Sequence, residues 1–166
     1  KFGNESRSNR IYQTISEAGR PLGIDFQFDR INRTPNTLDS HRFVRFVQAR
    51  DPDRGAEVVE ALFQAYFVRG LDTGNRTALC DLVEELGYDV ESLRAYLYSD
   101  EDVDDIREQN ARAHRLSISG VPAFIIDGQF SISGAQEPQV IGRLLEVAEQ
   151  RRREVFDQDI QANSRP

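Results

Sequence analysis

Only three side chains of this sequence carry a thiol or an imidazole: Cys80, His41 and His114. A single cysteine excludes an internal disulfide and any metal site built from several cysteines. Two histidines would need carboxylates to complete a zinc site, so we expect no bound metal. Thiol-disulfide exchange uses a thiolate of lowered pKa, usually in a Cys-X-X-Cys pair. The sequence has no such pair, and we therefore expect no catalytic residue of this kind within the chain.

Cys80 is better explained as a structural thiol. It follows Leu79 and precedes Leu82 and Val83 in an apolar helical stripe, away from any predicted helix N-terminus. A cysteine in such a position usually behaves as a small buried hydrophobe. His114 lies on a polar helix face, where we expect a solvated imidazole.

The strongest structural pattern is a β-hairpin predicted for residues 120–134. Apolar runs at 124–126 and 130–132 flank an Asp-Gly pair, and glycine tolerates the positive φ angles of a tight primed turn. Pro122 stands at the strand entry, where the ladder needs no N–H donor. A lone hairpin is marginal in water, so two strands are too few and further strands are expected.

Apolar residues recur at helical spacing through most of the remaining chain. The segment 34–37 precedes one helical run, and Asn75 and Asp89 are placed as N-caps of two others. A final helix is predicted to start near Pro138. Residues 24–31 alternate apolar and polar like a strand, and we expect an extended connector that does not join the sheet.

Length and charge narrow the classes of protein. A chain of 166 residues suits one domain, and its formal charge of −7 argues against nucleic-acid and anionic-membrane partners. No apolar run is long enough to span a bilayer, and the polar opening is not a signal peptide. Because the sequence has no Met and opens almost directly on a helical pattern, we expect it to begin inside a longer gene product.

Three segments of the sequence combine into a more specific pattern. Residues 119–124 read Ser-Gly-Val-Pro-Ala-Phe, 133–136 read Ser-Gly-Ala-Gln, and 33–42 read Arg-Thr-Pro-Asn-Thr-Leu-Asp-Ser-His-Arg. Together they resemble the DsbA-like thioredoxin-fold family, and most closely its FrnE branch of bacterial thiol-disulfide oxidoreductases. The resemblance covers residues 2–148, nearly the whole chain.

The resemblance implies a thioredoxin-like α/β fold of the DsbA type with a large helical insertion. Residues 1–118 would be the insertion and connecting helices, 119–150 the C-terminal ββα part, and 151–166 a polar tail. Members of the family open with a β-α-β unit that holds Cys-X-X-Cys. This chain lacks that N-terminal unit, and we expect it, with the catalytic cysteines, upstream.

The resemblance also implies a function for the intact protein. It would be a thiol-disulfide oxidoreductase or disulfide isomerase that needs no cofactor and acts on protein thiols and disulfides or on small thiols. Gly120, Val121 and Pro122 would form the substrate loop, with a cis Val121–Pro122 bond. The backbone of this loop would bind an extended peptide by β-augmentation, which makes little demand on sequence.

Asn36, Thr37 and His41 have two interpretations. From the residues alone, the first two start a helix and His41 is a surface or capping imidazole. Through the resemblance, this helix start faces the active-site cleft, where its free N–H groups could bind an anion or lower the pKa of a thiol.

Two other functions stay open at this point. The related 2-hydroxychromene-2-carboxylate isomerases and kappa-class glutathione transferases share the fold but use a Ser-centred site, and glutathione would then be the cofactor. A non-catalytic peptide-binding module is the third reading, disfavoured by the half-built sheet. A homodimer is compatible with the family resemblance, and the family's habit favours the cytoplasm.

Overall fold

The structure, a computed structural model, describes residues 5–116, 118 and 120–163. It divides into two compact units, Lys1–Gln109 and Asn110–Pro166. Among the described residues, no helix is both long enough and apolar enough to cross a membrane.

The first unit is helical. Short 3₁₀ turns at Arg20–Leu22, Phe28–Arg30 and Pro52–Arg54 join its helices, and the third helix continues into a π-helical turn at Gln64–Val68. The last of these helices runs past the boundary into the second unit. The helices are α1 (Glu5–Gly19), α2 (Leu38–Arg50), α3 (Gly55–Phe63), α4 (Arg76–Glu85), α5 (Val90–Tyr98) and α6 (Val103–Arg115).

Helices α2 to α5 enclose the hydrophobic core. Two helix starts predicted from the sequence are confirmed: Asn75 Oδ1 accepts the Thr77 N–H at 2.8 Å, and Asp89 Oδ2 accepts the Ser92 N–H at 2.7 Å. Two apolar residues of α3, Val59 and Phe63, have exposed side chains and stay outside the core. The core consists of Phe43, Phe46, Val47, Val58, Leu62, Ala65, Leu79, Cys80, Leu82, Val83, Leu93, Tyr96 and Leu97.

The alternating segment 24–31 forms no strand. The apolar residues of the segment instead belong to an aromatic cluster. Phe28 stacks on Tyr12 with ring centroids 4.5 Å apart and on Phe26 with ring centroids 5.2 Å apart. The Gln27 N–H donates to the Phe67 carbonyl at 2.8 Å, which fixes the segment to the π-helical turn. The segment is therefore a connector outside the sheet, as predicted, but Phe28–Arg30 forms a 3₁₀ turn in place of the expected extended chain, because the aromatic packing and not strand pairing holds it.

The second unit holds a two-stranded antiparallel sheet and a long helix. Strands β1 (Ala123–Ile126) and β2 (Phe130–Ser133) pair with Ala123 opposite Ser133 and Ile126 opposite Phe130. The turn residues Asp127 and Gly128 have φ angles of 51° and 66°, the sign that a primed turn requires. Helix α7 (Pro138–Asn163) follows, and residues 151–163, expected from composition as a polar tail, continue this helix.

Candidate substrate-binding site

The loop that enters β1 presents its backbone and side chains to solvent. The Val121–Pro122 peptide bond is cis, the isomer expected from the sequence. The Val121 side chain is 89% exposed, and Gly120 and Pro122 are also exposed. The apolar side chain of Val121 is therefore accessible to other molecules.

Two bonds close the base of the hairpin beside this loop. The Pro122 carbonyl accepts the Gly134 N–H at 2.8 Å. Gly134 itself has a φ of 86°, a backbone conformation that favours glycine. The Gln136 side-chain amide donates to the Ser133 carbonyl at 3.0 Å. The Ser-Gly-Ala-Gln segment thus anchors the end of β2 to the residue after Val121.

The loop leaves backbone groups available for a strand-like ligand. Within the part of the chain that the structure describes, β1 pairs with β2 alone, and Val121 makes no backbone hydrogen bond. Phe124 and Ile125 of β1 are partly exposed. The expected pairing of an extended peptide with this loop stays a prediction.

The second group of predicted site residues lies in the first unit, at the start of α2. Asn36, Thr37 and His41 are all exposed. Asn36 Oδ1 accepts the Leu38 N–H at 3.1 Å, so its side chain satisfies one of the free donors of the helix start. The Thr37 carbonyl accepts the His41 N–H at 3.0 Å. The helix-starting interpretation of Asn36 is therefore confirmed, while contact with substrate stays a prediction for all three.

A neighbouring loop packs tightly on this helix start. Ser40 Oγ donates to the Thr73 carbonyl at 2.6 Å, and the Gly74 N–H donates to Asp72 Oδ1 at 3.0 Å. A Cβ added to Gly74 would lie 2.9 Å from the Asn36 carbonyl oxygen. Only glycine permits this approach, and the loop holds the segment around Asn36 in place.

The most consequential residue of this segment, Arg42, is not among the residues singled out from the sequence. Its side chain is fully buried in the structure. The guanidinium donates Nε to the Glu101 carbonyl at 2.9 Å and Nη1 to the Leu97 carbonyl at 3.0 Å. Its Nη2 donates to the Tyr96 and Ser99 carbonyls at 2.6 and 2.9 Å. Arg42 thus binds carbonyl groups in the last turn of α5 and just after it, where helix geometry leaves carbonyls without helical partners.

Asp39 completes the arrangement. Its carboxylate accepts from Arg42 Nη1 at 2.8 Å and from Arg76 Nε at 2.7 Å. With this bond, all five N–H donors of Arg42 are satisfied. The position of Arg42 in the sequence could have indicated its burial, because it lies four residues from both Leu38 and Phe46 on the apolar face of α2. A charged side chain that is buried on an apolar face needs hydrogen-bond acceptors or an opposite charge within reach.

Cys80 is confirmed as a buried thiol, with 1% of its surface exposed. Burial raises the pKa of the Cys80 thiol, and nearby Arg94 offsets this only in part. A redox-active cysteine needs the opposite shift. Cys80 is therefore unsuited to act as a nucleophile.

A cavity of about 360 Å³ lies between α2 and α5 in the first unit. Polar groups that line the cavity bind one another. Arg45 forms an ion pair with Asp102 at 3.1 Å, and the Tyr96 hydroxyl donates to the same carboxylate at 2.7 Å. Burial and the Asp102 carboxylate raise the pKa of Tyr96. Across the described residues, no cluster of three or more His, Cys, Asp or Glu side chains could hold a metal ion.

Comparison with known proteins places this architecture. The family model of the DSBA-like thioredoxin domain matches residues 3–146. The uncharacterized protein YwbO of Bacillus subtilis (strain 168) is 28% identical over 144 residues, which cover 86% of this chain and 70% of YwbO. The family model spans the helical part, the hairpin and the start of α7.

Two solved structures share the fold. A probable DsbA oxidoreductase from Streptomyces coelicolor superposes with a TM-score of 0.75 at 22% identity, over 89% of this chain and 63% of that protein. A putative protein disulfide isomerase from Nitrosomonas europaea gives a TM-score of 0.72 at 20% identity, over 90% of this chain and 76% of that one. The chain thus spans less than two thirds of the Streptomyces protein. The predicted fold class is confirmed, and the chain belongs to the DSBA-like thioredoxin domain family.

Proposed function

We propose that the protein containing this chain is a thiol-disulfide oxidoreductase or disulfide isomerase of the FrnE branch, and that Gly120, Val121 and Pro122 contact its substrate. Membership of the DsbA-like family supports an oxidoreductase function in general. The observation that carries the site is the 89% exposure of Val121 next to backbone groups free of bonds to other described residues.

The physical role of the loop follows from this exposure. A substrate polypeptide in extended form pairs its backbone with the edge at Val121, which requires no particular sequence. The apolar Val121 side chain adds contact area without selecting a charge. Such a site holds a disulfide or thiol of the substrate protein in one place for the time that exchange needs.

The catalytic thiols of this proposal lie outside the chain, in a preceding part of the whole protein. Exchange needs an attacking thiolate and a second thiol that releases the mixed disulfide. The 166 residues hold only Cys80, which is buried and has a raised pKa. The chain covers 63% of the Streptomyces protein and 70% of YwbO, so a longer protein of this kind has room for such a pair outside the matched part.

We propose the start of α2, in the first unit, as a further substrate contact in its own right. The Oδ1 atom of Asn36 is engaged by the Leu38 N–H, so its side-chain NH₂ group, the Thr37 hydroxyl and the His41 imidazole are the exposed groups proposed to contact substrate. All three can hydrogen-bond the backbone of an extended peptide. The proposed partners are accordingly protein thiols and disulfides, with small thiols as reductants.

The test is reduction of insulin by dithiothreitol, with the whole protein and the 166-residue chain assayed side by side. We expect turnover with the whole protein and none with the chain. Circular dichroism of both confirms that lack of turnover does not reflect lack of folding. Turnover by the folded 166-residue chain would contradict the assignment of the catalytic thiols to another part of the protein.

A further inference from the structure

Arg76, the first residue of α4, has a guanidinium that is held in place but keeps most of its donors free. Its Nε donates to Asp39 Oδ2 at 2.7 Å, and its Cζ lies over the Tyr98 ring, 4.9 Å from the ring centroid. Among the residues that the structure describes, none accepts a hydrogen bond from Nη1 or Nη2 of Arg76. The side chain is 38% exposed, so a group from outside the chain can reach these two nitrogens.

The charges around Arg76 do not balance. Asp39 is shared with the fully buried Arg42, whose Nη1 lies 2.8 Å from the other carboxylate oxygen. Two guanidiniums therefore share one carboxylate, which leaves one positive charge without a counter-charge. In the loop before α4, Asp72 is engaged elsewhere, because it pairs with Arg33 at 3.5 Å and accepts the Gly74 N–H. This local surplus runs against the formal charge of −7 of the whole chain.

The surplus charge lies where the start of α2 meets the start of α4. The loop before α4 approaches Asn36 closely at Gly74, and Asp39 joins the two helix starts. Thr37 and His41, proposed above as substrate contacts, belong to the same start of α2. All of these residues lie in the first unit, whose hydrophobic core is formed by its own helices.

We propose that Arg76 binds a carboxylate of the substrate polypeptide and gives the site a preference for acidic segments. This inference rests on the proposed function, in which an extended polypeptide contacts the start of α2. The two Nη atoms can donate a pair of parallel hydrogen bonds, the arrangement that matches both oxygens of a carboxylate. Because Asp39 and Tyr98 already hold the guanidinium, binding costs little side-chain entropy.

Fluorescence anisotropy with the whole protein tests this contact without any need for turnover. The probes are two labelled, cysteine-free peptides of otherwise neutral sequence that carry either Glu or Gln at the same positions. The parent should bind the Glu peptide about tenfold more tightly than the Gln peptide. In Arg76→Gln the two affinities should lie within about twofold of each other. Arg76→Lys should keep part of the preference, since lysine retains the charge but not the paired donors.

Arg69→Gln is the matched control. The Arg69 side chain is 43% exposed, close to the exposure of Arg76, but both of its Nη atoms bond to Glu85. The substitution removes one positive charge and one ion pair, as Arg76→Gln does, and should leave the preference for the Glu peptide unchanged. Urea unfolding of each variant verifies that the first unit stays folded.

Equal affinity of the parent for the two peptides, or no binding of either, would overturn the proposal. A preference for the Glu peptide that survives in Arg76→Gln would overturn it as well. Failure of the proposed function is a separate result, because it shows as a lack of disulfide turnover by the whole protein. The peptide preference reports the carboxylate contact alone.

Discussion

The buried guanidinium of Arg42 and the carboxylate of Asp39, one helical turn apart on α2, meet at 2.8 Å. Asp39 also holds Arg76 at 2.7 Å, so a single carboxylate joins the starts of α2 and α4. Arg42 in turn holds the carbonyls at the end of α5. This network fixes the segment that carries Asn36, Thr37 and His41, and it explains the local sequence without any role in catalysis.

Replacing Arg42 should therefore destabilise the first unit strongly. Arg42→Met leaves the carbonyls of Tyr96, Leu97, Ser99 and Glu101 with fewer partners and Asp39 with one partner less. Breaking a buried network of this kind costs about 3–5 kcal/mol. Urea unfolding of the two proteins measures the difference in the free energy of unfolding.

The matched control is Arg107→Met. Arg107 is largely exposed and pairs with exposed Asp104 at 3.3 Å. Exposed pairs contribute about 0–1 kcal/mol, so this variant should unfold like the parent. If the two substitutions had equal effects, the carbonyl cluster around Arg42 would contribute little to stability.

The cap of α5 should give the stability a definite acid dependence. Hydrogen bonds from Ser92 lower the pKa of Asp89 below its ordinary value of 3.8. The folded state therefore prefers the carboxylate, and the stabilisation is complete above that ordinary pKa. It is lost as pH falls through the lower pKa of the folded state.

Asp89→Asn isolates this contribution, because asparagine also caps helices but does not titrate. The difference in unfolding free energy between parent and variant should be constant at neutral pH and should change as pH falls through 3.8 towards the lower pKa of the folded state. Urea unfolding at a series of pH values measures it. A change centred above that pH would mean that another group is responsible.

Cys80 should resist alkylation in the folded protein. It is 1% exposed and its pKa is raised by burial, so few thiolates are present and few are reachable. Mass spectrometry after iodoacetamide treatment should find Cys80 unmodified in buffer and fully modified in denaturant. Rapid labelling in buffer would show that the thiol is accessible and reopen a chemical role for it.

Substitutions at the start of α2 can separate residues that stabilise the fold from residues that contact substrate. Asn36→Ala should lower the free energy of unfolding by about 1 kcal/mol, because it removes the acceptor for the Leu38 N–H. His41→Ala, at an exposed side chain, should leave stability unchanged but raise KM for an unfolded protein substrate. An unchanged KM for His41→Ala would remove this residue from the proposed site.

Local sequence signals predicted the parts of this fold that depend on local chemistry. Asn75 and Asp89 are recognisable as caps because a helix start needs an acceptor at that position. The hairpin is recognisable because its turn needs positive φ angles at Asp127 and Gly128. Cys80 is recognisable as buried from the apolar residues at helical spacing around it.

The parts that depend on distant segments could not be predicted in the same way. The carbonyl groups that Arg42 binds lie 54 to 59 residues away along the chain, so its role appears only when α2 and α5 meet. Phe26 and Phe28 belong to a strand-like alternation in the sequence, but in the structure they pack with Tyr12 and Phe67 in an aromatic cluster. At the candidate site, exposure of Val121 is a property of the folded hairpin, although the motif around it was visible in the sequence.

Kinetics of Val121 variants of the whole protein test the central claim most directly. Val121→Asp places a charge where an apolar substrate contact is proposed, and Val121→Ile keeps the contact. We predict that Val121→Asp lowers kcat/KM for reduction of insulin about tenfold, that Val121→Ile stays within about twofold, and that turnover of a small disulfide changes little in either variant. Undiminished kcat/KM for insulin in Val121→Asp would contradict the assignment of this loop to substrate binding.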